Sequence, residues 1–144
     1  VRENIAFASD IIDEERILEA AKKAEILEEI NSFTNGLDTI IGERGVRLSG
    51  GQRQRLAIAR TFYKQPDFFI FDDCLSAIDA TKEQKILHNL RLESRGKSSI
   101  IISHRVSSLK KADSIIVLDE GKITEQGTHQ QLLALKGFYF TMHN

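Results

Sequence analysis

Residues 48 to 52, Leu-Ser-Gly-Gly-Gln, place two glycines directly after a serine at what reads as the start of a helix. Ser49 and Gln52 stand at S-x-x-Q spacing, the capping box in which each side chain satisfies the other residue's backbone N–H. A box needs no glycine. Gly50 and Gly51 remove side chains where unpaired N–H groups point outward from the positive end of the helix dipole, so an anion can approach the backbone there. Arg53 and Arg55 add positive charge nearby. The same residues also make an ordinary capped helix with a solvated basic face, and residue types alone leave both readings standing. Asp72 ends the apolar run Phe-Phe-Ile-Phe, at the carboxyl end of a strand, where α/β folds place ligands; taken alone, an aspartate there is more often a turn residue or helix cap. His104 follows Ile-Ile-Ile-Ser in the same strand-end position, where a lone histidine more often serves structure.

The elements that must position these residues follow from periodicity and breakers. Residues 13 to 31 put Ile17, Leu18, Ala21, Ala24, Leu27 and Ile30 at helical spacing, with Asp13 as N-cap. Thr-Asn-Gly-Leu-Asp and Gly-Glu-Arg-Gly then break the pattern. A helix runs from about Ser49 to Lys64 and stops before Pro66, which disfavours helix at Gln65. Residues 68 to 72 show no alternation and read as a strand buried on both faces. A charged helix over roughly 80 to 93 leads, through a turn at Gly96, to a second buried strand in Ser-Ser-Ile-Ile-Ile-Ser-His. Ser-Ile-Ile-Val-Leu-Asp-Glu-Gly-Lys-Ile-Thr-Glu-Gln-Gly reads as two strands around a tight turn at Glu120-Gly121. Thr128 to Lys136 closes as a helix with its own capping box, Thr128 to Gln131, and Gly137 as C-cap. The first part is helical; the second alternates strand and helix as in a parallel α/β sheet.

Composition narrows the function classes. A chain of 144 residues, 41% of them hydrophobic, is about one domain with a real core. A net charge of −1 gives no bulk attraction to nucleic acid or anionic lipid. The one cysteine, Cys74, excludes an internal disulfide and fits a reducing compartment; it is expected in the core. Apolar runs such as Phe-Phe-Ile-Phe are four residues long, far below the ~20 that span a bilayer, so the chain is expected to be soluble by itself. It begins without methionine and inside an apparent element, and so reads as a piece of something longer.

Leu-Ser-Gly-Gly-Gln, continuing as Arg-Gln-Arg-Leu-Ala-Ile-Ala-Arg, resembles the signature motif of ATP-binding cassette (ABC) ATPases, and the likeness extends over essentially the whole chain. Phe-Phe-Ile-Phe-Asp-Asp resembles the Walker B strand, Leu75 to Asp79 the D-loop, and Ser-His-Arg at 103 to 105 the H-loop. Residues 39 to 45, Thr-Ile-Ile-Gly-Glu-Arg-Gly, resemble the segment that touches the membrane domain's coupling helices in exporters. The order and spacing of all five agree. The resemblance implies ATP and Mg²⁺ as cofactors. It implies Asp72 as the Mg²⁺ residue, most simply through water because Mg²⁺ keeps part of its hydration shell. It implies Asp73 at the position of the glutamate that polarises the attacking water, and His104 on the γ-phosphate. Ser49, Gly50, Gly51 and Gln52 would serve the nucleotide, and Asp79 would help join two halves of a dimer. His88, His129 and His143 match no motif.

No Walker A motif is present. Arg-Gly-Lys-Ser-Ser at 95 to 99 has Arg91 where G-x-x-x-x-G-K-[ST] needs its first glycine, and it follows a helix and precedes a strand, the reverse of a P-loop. The expected fold is therefore α/β: a helical signature subdomain over 1–64, then the C-terminal part of a RecA-like parallel-sheet P-loop core over 65–144. The implied partner is a second nucleotide-binding domain, paired head to tail, so that this chain's signature faces a nucleotide held mainly by the partner. Asp73 is one methylene shorter than glutamate, and with the intact signature this resembles the degenerate-site half of a heterodimeric exporter, on the cytoplasmic face of a membrane transporter; a homodimer in which aspartate still suffices is the alternative. Alone the chain is expected to be inactive. The competing reading is the C-terminal ATPase lobe of a chromosome-maintenance or DNA-repair protein, which should follow a long heptad-patterned coiled coil. A short amphipathic helix and Gly-Glu-Arg-Gly precede the signature instead, and basic stretches for DNA are lacking.

Overall fold

The computed structural model describes residues 1–42 and 45–143. Short helix α1 (Arg2–Ile5) precedes α2 (Glu14–Lys23) and α3 (Leu27–Ser32). The long α4 (Gly50–Lys64) leads into β1 (Phe68–Asp72), then α5 (Ala80–Glu93) and β2 (Ser98–Ile102). After these come α6 (Val106–Leu109), the hairpin β3 (Ile115–Asp119) and β4 (Lys122–Gly127), α7 (His129–Leu135) and α8 (Phe138–His143). Contacts divide the chain into two compact units, Val1–Ile100 and Ile101–Asn144.

The first unit is built around α4, against which α1 and α2 pack. Leu56, Ile58, Ala59 and Phe62 of α4 are buried, as are Ile17, Ala20 and Ala21 of α2. Asp13 caps α2, accepting from the Arg16 N–H at 3.1 Å. The single helix expected over 13 to 31 is two helices. Ala24 ends α2, and Glu25, in the left-handed region at φ 55°, turns the chain into α3. Both halves still bury their stripe, because the turn brings Ile26 and Ile30 inward along with Ile17. At the far end of α4, Gln65 adopts a left-handed φ of 48° before Pro66.

Strands β1 and β2 form a two-stranded sheet. Neither is buried on both faces, which corrects the expectation from their unbroken apolar runs. Phe69 and Phe71 of β1 point inward, while Phe68 is 48% and Ile70 63% exposed. On β2, Ile100 and Ile102 are exposed and Ile101 half-buried. Apolar side chains on this second face have no covering layer among the described residues.

The second unit has its own core, in which Val106, Ile115, Val117, Leu132 and Tyr139 cluster. The β3–β4 hairpin is antiparallel, and its turn is formed by Glu120 and Gly121, both at positive φ (46° and 75°), as the sequence predicts. The capping box of Thr128 and Gln131 is present on α7. The left-handed C-cap of α7 is Lys136 (φ 54°) and not the expected Gly137. A Cβ at Gly137 would stand 2.3 Å from the Glu125 carboxylate, whose oxygens accept from the first N–H groups of α8. Gly137 is thus needed for close approach, not for a left-handed turn.

Candidate functional site

The turn at Ser49 has the expected geometry. Ser49 Oγ accepts from the Gln52 N–H at 3.2 Å, and Gln52 Oε1 accepts from the Ser49 N–H at 2.9 Å. The first bond of the helical ladder runs from the Arg53 N–H to the Ser49 carbonyl, so the Gly50 and Gly51 amides lie outside that ladder. These amides and the dipole of a helix four turns long make an anion-accepting end.

Gly51 also answers to packing. A Cβ there would lie 2.7 Å from the Ala77 carbonyl oxygen, so glycine lets the helix start press against the 75–79 loop. Gln54, one turn on, holds the same loop. Its Nε2 donates to Ser76 Oγ at 3.0 Å and to the Asp73 carbonyl at 3.3 Å, and its Oε1 accepts from the Ala77 N–H at 2.9 Å. The fold thus brings together the Ser49–Gln52 turn and the segment from Asp73 to Asp79. Sequence reasoning missed Gln54, because its partners lie 19 to 23 residues away and no local spacing announces them.

Asp72 and Asp73 sit exposed where β1 ends. Asp73 takes a left-handed φ of 43°, a conformation that aspartate tolerates better than longer side chains. Cys74 beside them is half-buried. Burial, reinforced by the carboxylates of Asp73 and Asp72 and partly opposed by a backbone hydrogen bond, pushes its thiol up to about 11. Asp79 caps α5. The Lys82 N–H donates to its Oδ1 at 3.0 Å and holds the carboxyl below its usual range. His104 lies in the second unit, exposed, just after β2 and before α6. Two adjacent carboxylates at a strand end fit Mg²⁺, which takes one or two carboxylates and completes its shell with water and substrate phosphate.

The signature helix is anchored from below by ions. Arg55, 6% exposed, pairs with Glu29 of α3, and Lys82 of α5 reaches the same Glu29 oxygen at 2.9 Å. Burial alone would raise the Glu29 carboxyl. The Lys82 hydrogen bond, a backbone hydrogen bond and the Arg55 and Lys82 charges outweigh it and hold Glu29 below the ordinary range.

Beside α4, a cavity of about 480 Å³ is lined by Ile41, Val46 and Leu56 together with Arg47, Arg53 and Arg60. The expected coupling segment, 39–45, borders it, though its Glu43 and Arg44 lie outside the described residues. Gly45 permits this loop's shape, since a Cβ there would stand 2.1 Å from the Ile40 carbonyl oxygen. No helix among the described residues is long and apolar enough to cross a membrane.

Comparison with known proteins identifies the family. The family model described as ABC transporter matches residues 1–76. The chain is 45% identical to an ATP-dependent lipid A-core flippase of Idiomarina loihiensis, a match spanning all of this chain and 25% of the flippase. It is 47% identical to ABC transporter B family member 16 of Arabidopsis thaliana, over 99% of this chain and 12% of that protein. It is 46% identical to the toxin RTX-I translocation ATP-binding protein of Actinobacillus pleuropneumoniae, over 99% of this chain and 20% of that protein. Among solved structures, a bacterial Atm1-family ABC exporter with ATP bound superposes with a TM-score of 0.91 at 43% identity, covering 97% of this chain and 25% of the exporter. The chain thus spans about a quarter or less of these relatives. It belongs to the ABC transporter family, as the portion of an exporter-type nucleotide-binding domain, RecA-like in fold, that runs from the signature subdomain through the H-loop.

Proposed function

We propose that this chain supplies the signature half of an ATP site that it shares with a second nucleotide-binding domain, in an exporter whose hydrolysis drives transport. The observation that carries this reading is the glycine-lined start of α4, capped by Ser49 and Gln52, with its Gly50 and Gly51 amides outside the helical ladder. That end is suited to phosphate oxygens, and on this reading the nucleotide it meets is held mainly by the partner domain. Residues 1–64 act as the signature subdomain and 65–144 as the C-terminal part of the core. Asp72 holds Mg²⁺ for this chain's own nucleotide, Asp73 orients the attacking water, His104 contacts the γ-phosphate, and Asp79 helps join the two domains. Mg²⁺, when bound, neutralises charge on the β- and γ-phosphates. Residues 39–45 and the cavity beside them receive the membrane domain's coupling helices, which puts the domain on the cytoplasmic face. Nucleotide-dependent pairing tests this reading. Mixed with the partner domain and Mg-ATP, the full-length nucleotide-binding domain should form a 1:1 complex on size exclusion. Pairing that ignores nucleotide contradicts it.

The finer reading is asymmetry. The Asp73 carboxylate sits one methylene, roughly 1 Å, short of a glutamate's, and misplacement on that scale costs up to about 10²-fold in rate. A chain with an intact signature and a shortened catalytic carboxylate completes its partner's site while its own mainly holds ATP. This is the arrangement of a heterodimer. In the assembled transporter, Asp73→Glu should speed single-turnover hydrolysis at this chain's own site at least tenfold, despite some strain from the left-handed backbone at that position. Equal wild-type rates at the two sites, with no gain from the substitution, contradict the asymmetry.

A further inference from the structure

The Ser49–Gln52 turn and the Asp73 segment serve, on the reading above, two different nucleotides. The structure joins them inside one chain. Gln54 spends every polar atom of its side chain on the loop after Asp73: the amide nitrogen on the Asp73 carbonyl and Ser76 Oγ, the amide oxygen on the Ala77 N–H. Ser76 Oγ in turn donates to the same Asp73 carbonyl at 3.0 Å. The contact is tight enough that Gly51 has no room for a Cβ against Ala77. Gln54 lies on the first turns of α4, so its side chain links the start of that helix to the Asp73 carbonyl, beside the Gly51–Ala77 contact.

We propose that Gln54 is a positioning residue, which sets the backbone of Asp73 from the signature helix and so ties the rate at this chain's own site to the occupancy of the partner's. The proposal rests on the roles given above to Ser49–Gln52 and Asp73. Gln54 itself touches no nucleotide in this account. Its amide donates to a carbonyl and accepts from an N–H at once, which an aliphatic side chain cannot replace and a carboxylate replaces by half.

The test uses the full-length transporter assembled with its partner. Hydrolysis at each site is followed by vanadate trapping of a photoactivatable 8-azido-ATP, which labels the chain whose own site has turned over. Gln54→Leu is expected to lower trapping and kcat at this chain's own site by about tenfold, part of the range that a 1 Å misplacement can produce, while KM for Mg-ATP stays within about twofold. Gln54→Glu keeps the acceptor for the Ala77 N–H and is expected to fall between Gln54→Leu and wild type. In Gln54→Leu, blocking the partner's site with beryllium fluoride should no longer change the rate at this one, and in Gln54→Glu the change should be smaller than in wild type. Where Gln54→Leu fails to assemble, Gln54→Glu carries the same comparison. An unchanged kcat, or kcat and KM falling together with a lower Tm, overturns the proposal. Ser49→Arg in parallel separates the two ideas. If it leaves the partner's site unaffected, the shared-site reading fails. If it slows the partner's site while Gln54→Leu leaves this chain's site untouched, the positioning role alone fails.

Discussion

Cys74 shows how one residue reports its surroundings. Its thiol is half-buried between the acidic pair and the 75–79 loop and is pushed up to about 11. Because the folded value is raised above the unfolded one, the native state holds the proton longer. This group's contribution to stability is therefore complete at neutral pH and is lost as pH rises past about 8.5, the value of an unperturbed thiol. At pH 8, iodoacetamide should alkylate Cys74 in the folded protein about 10²-fold more slowly than free cysteine, and unfolding in urea should restore the rate. A fast-reacting Cys74 in native protein would contradict the burial described here. At this scale legibility follows from locality. The capping pairs Ser49–Gln52 and Thr128–Gln131 were readable because each closes over three residues. Gln54 and Glu29 were not, because their partners are set by the fold. Arg55 lies 26 residues from Glu29, and Lys82 lies 53.

Among the elements, α4 was the most legible, since its cap, stripe and proline stop all agree. The break between α2 and α3 was hidden, because Ala24 and Glu25 are good helix formers and only packing explains a left-handed glutamate between them. The strands were misjudged for a different reason: apolar composition records which surfaces are to be covered, not whether the covering layer is among the described residues. The Glu29 cluster joins α3, α4 and α5 and makes a testable element-scale claim. Removing a buried pair's anion usually costs about 3 kcal/mol, and the part-exposed edge at Lys82 reduces that toward about 2. Glu29→Gln should lower Tm at pH 7 by roughly 5 °C. Because the Glu29 carboxyl is held below its ordinary value, its stabilisation is present at neutral pH and is lost as pH falls below about 4.3 and through the folded value. The difference in Tm between wild type and variant should therefore shrink by pH 3. A constant difference from pH 7 to pH 3 would show that the charge on Glu29 contributes nothing.

For the whole molecule, the exposed apolar face of β1 and β2 and the proposed shared ATP site each lead to an expectation for the 144-residue chain studied by itself. Phe68, Ile70, Ile100 and Ile102 present bare hydrophobic strands. Light scattering on the isolated chain should find self-association at micromolar concentration, and calorimetry should find Mg-ATP binding no tighter than about millimolar, near the affinity of a helix-end anion site without a P-loop. A monodisperse monomer with micromolar ATP affinity would contradict both. The central claim, that Ser49–Gln52 act on a nucleotide held by another domain, is tested most directly by Ser49→Arg in the complete transporter, with ATP binding and single-turnover hydrolysis measured at each site. The account predicts that hydrolysis falls at the partner's site by at least tenfold, while ATP binding at this chain's own site is unchanged. Loss of binding at its own site, with the partner's hydrolysis intact, would contradict it.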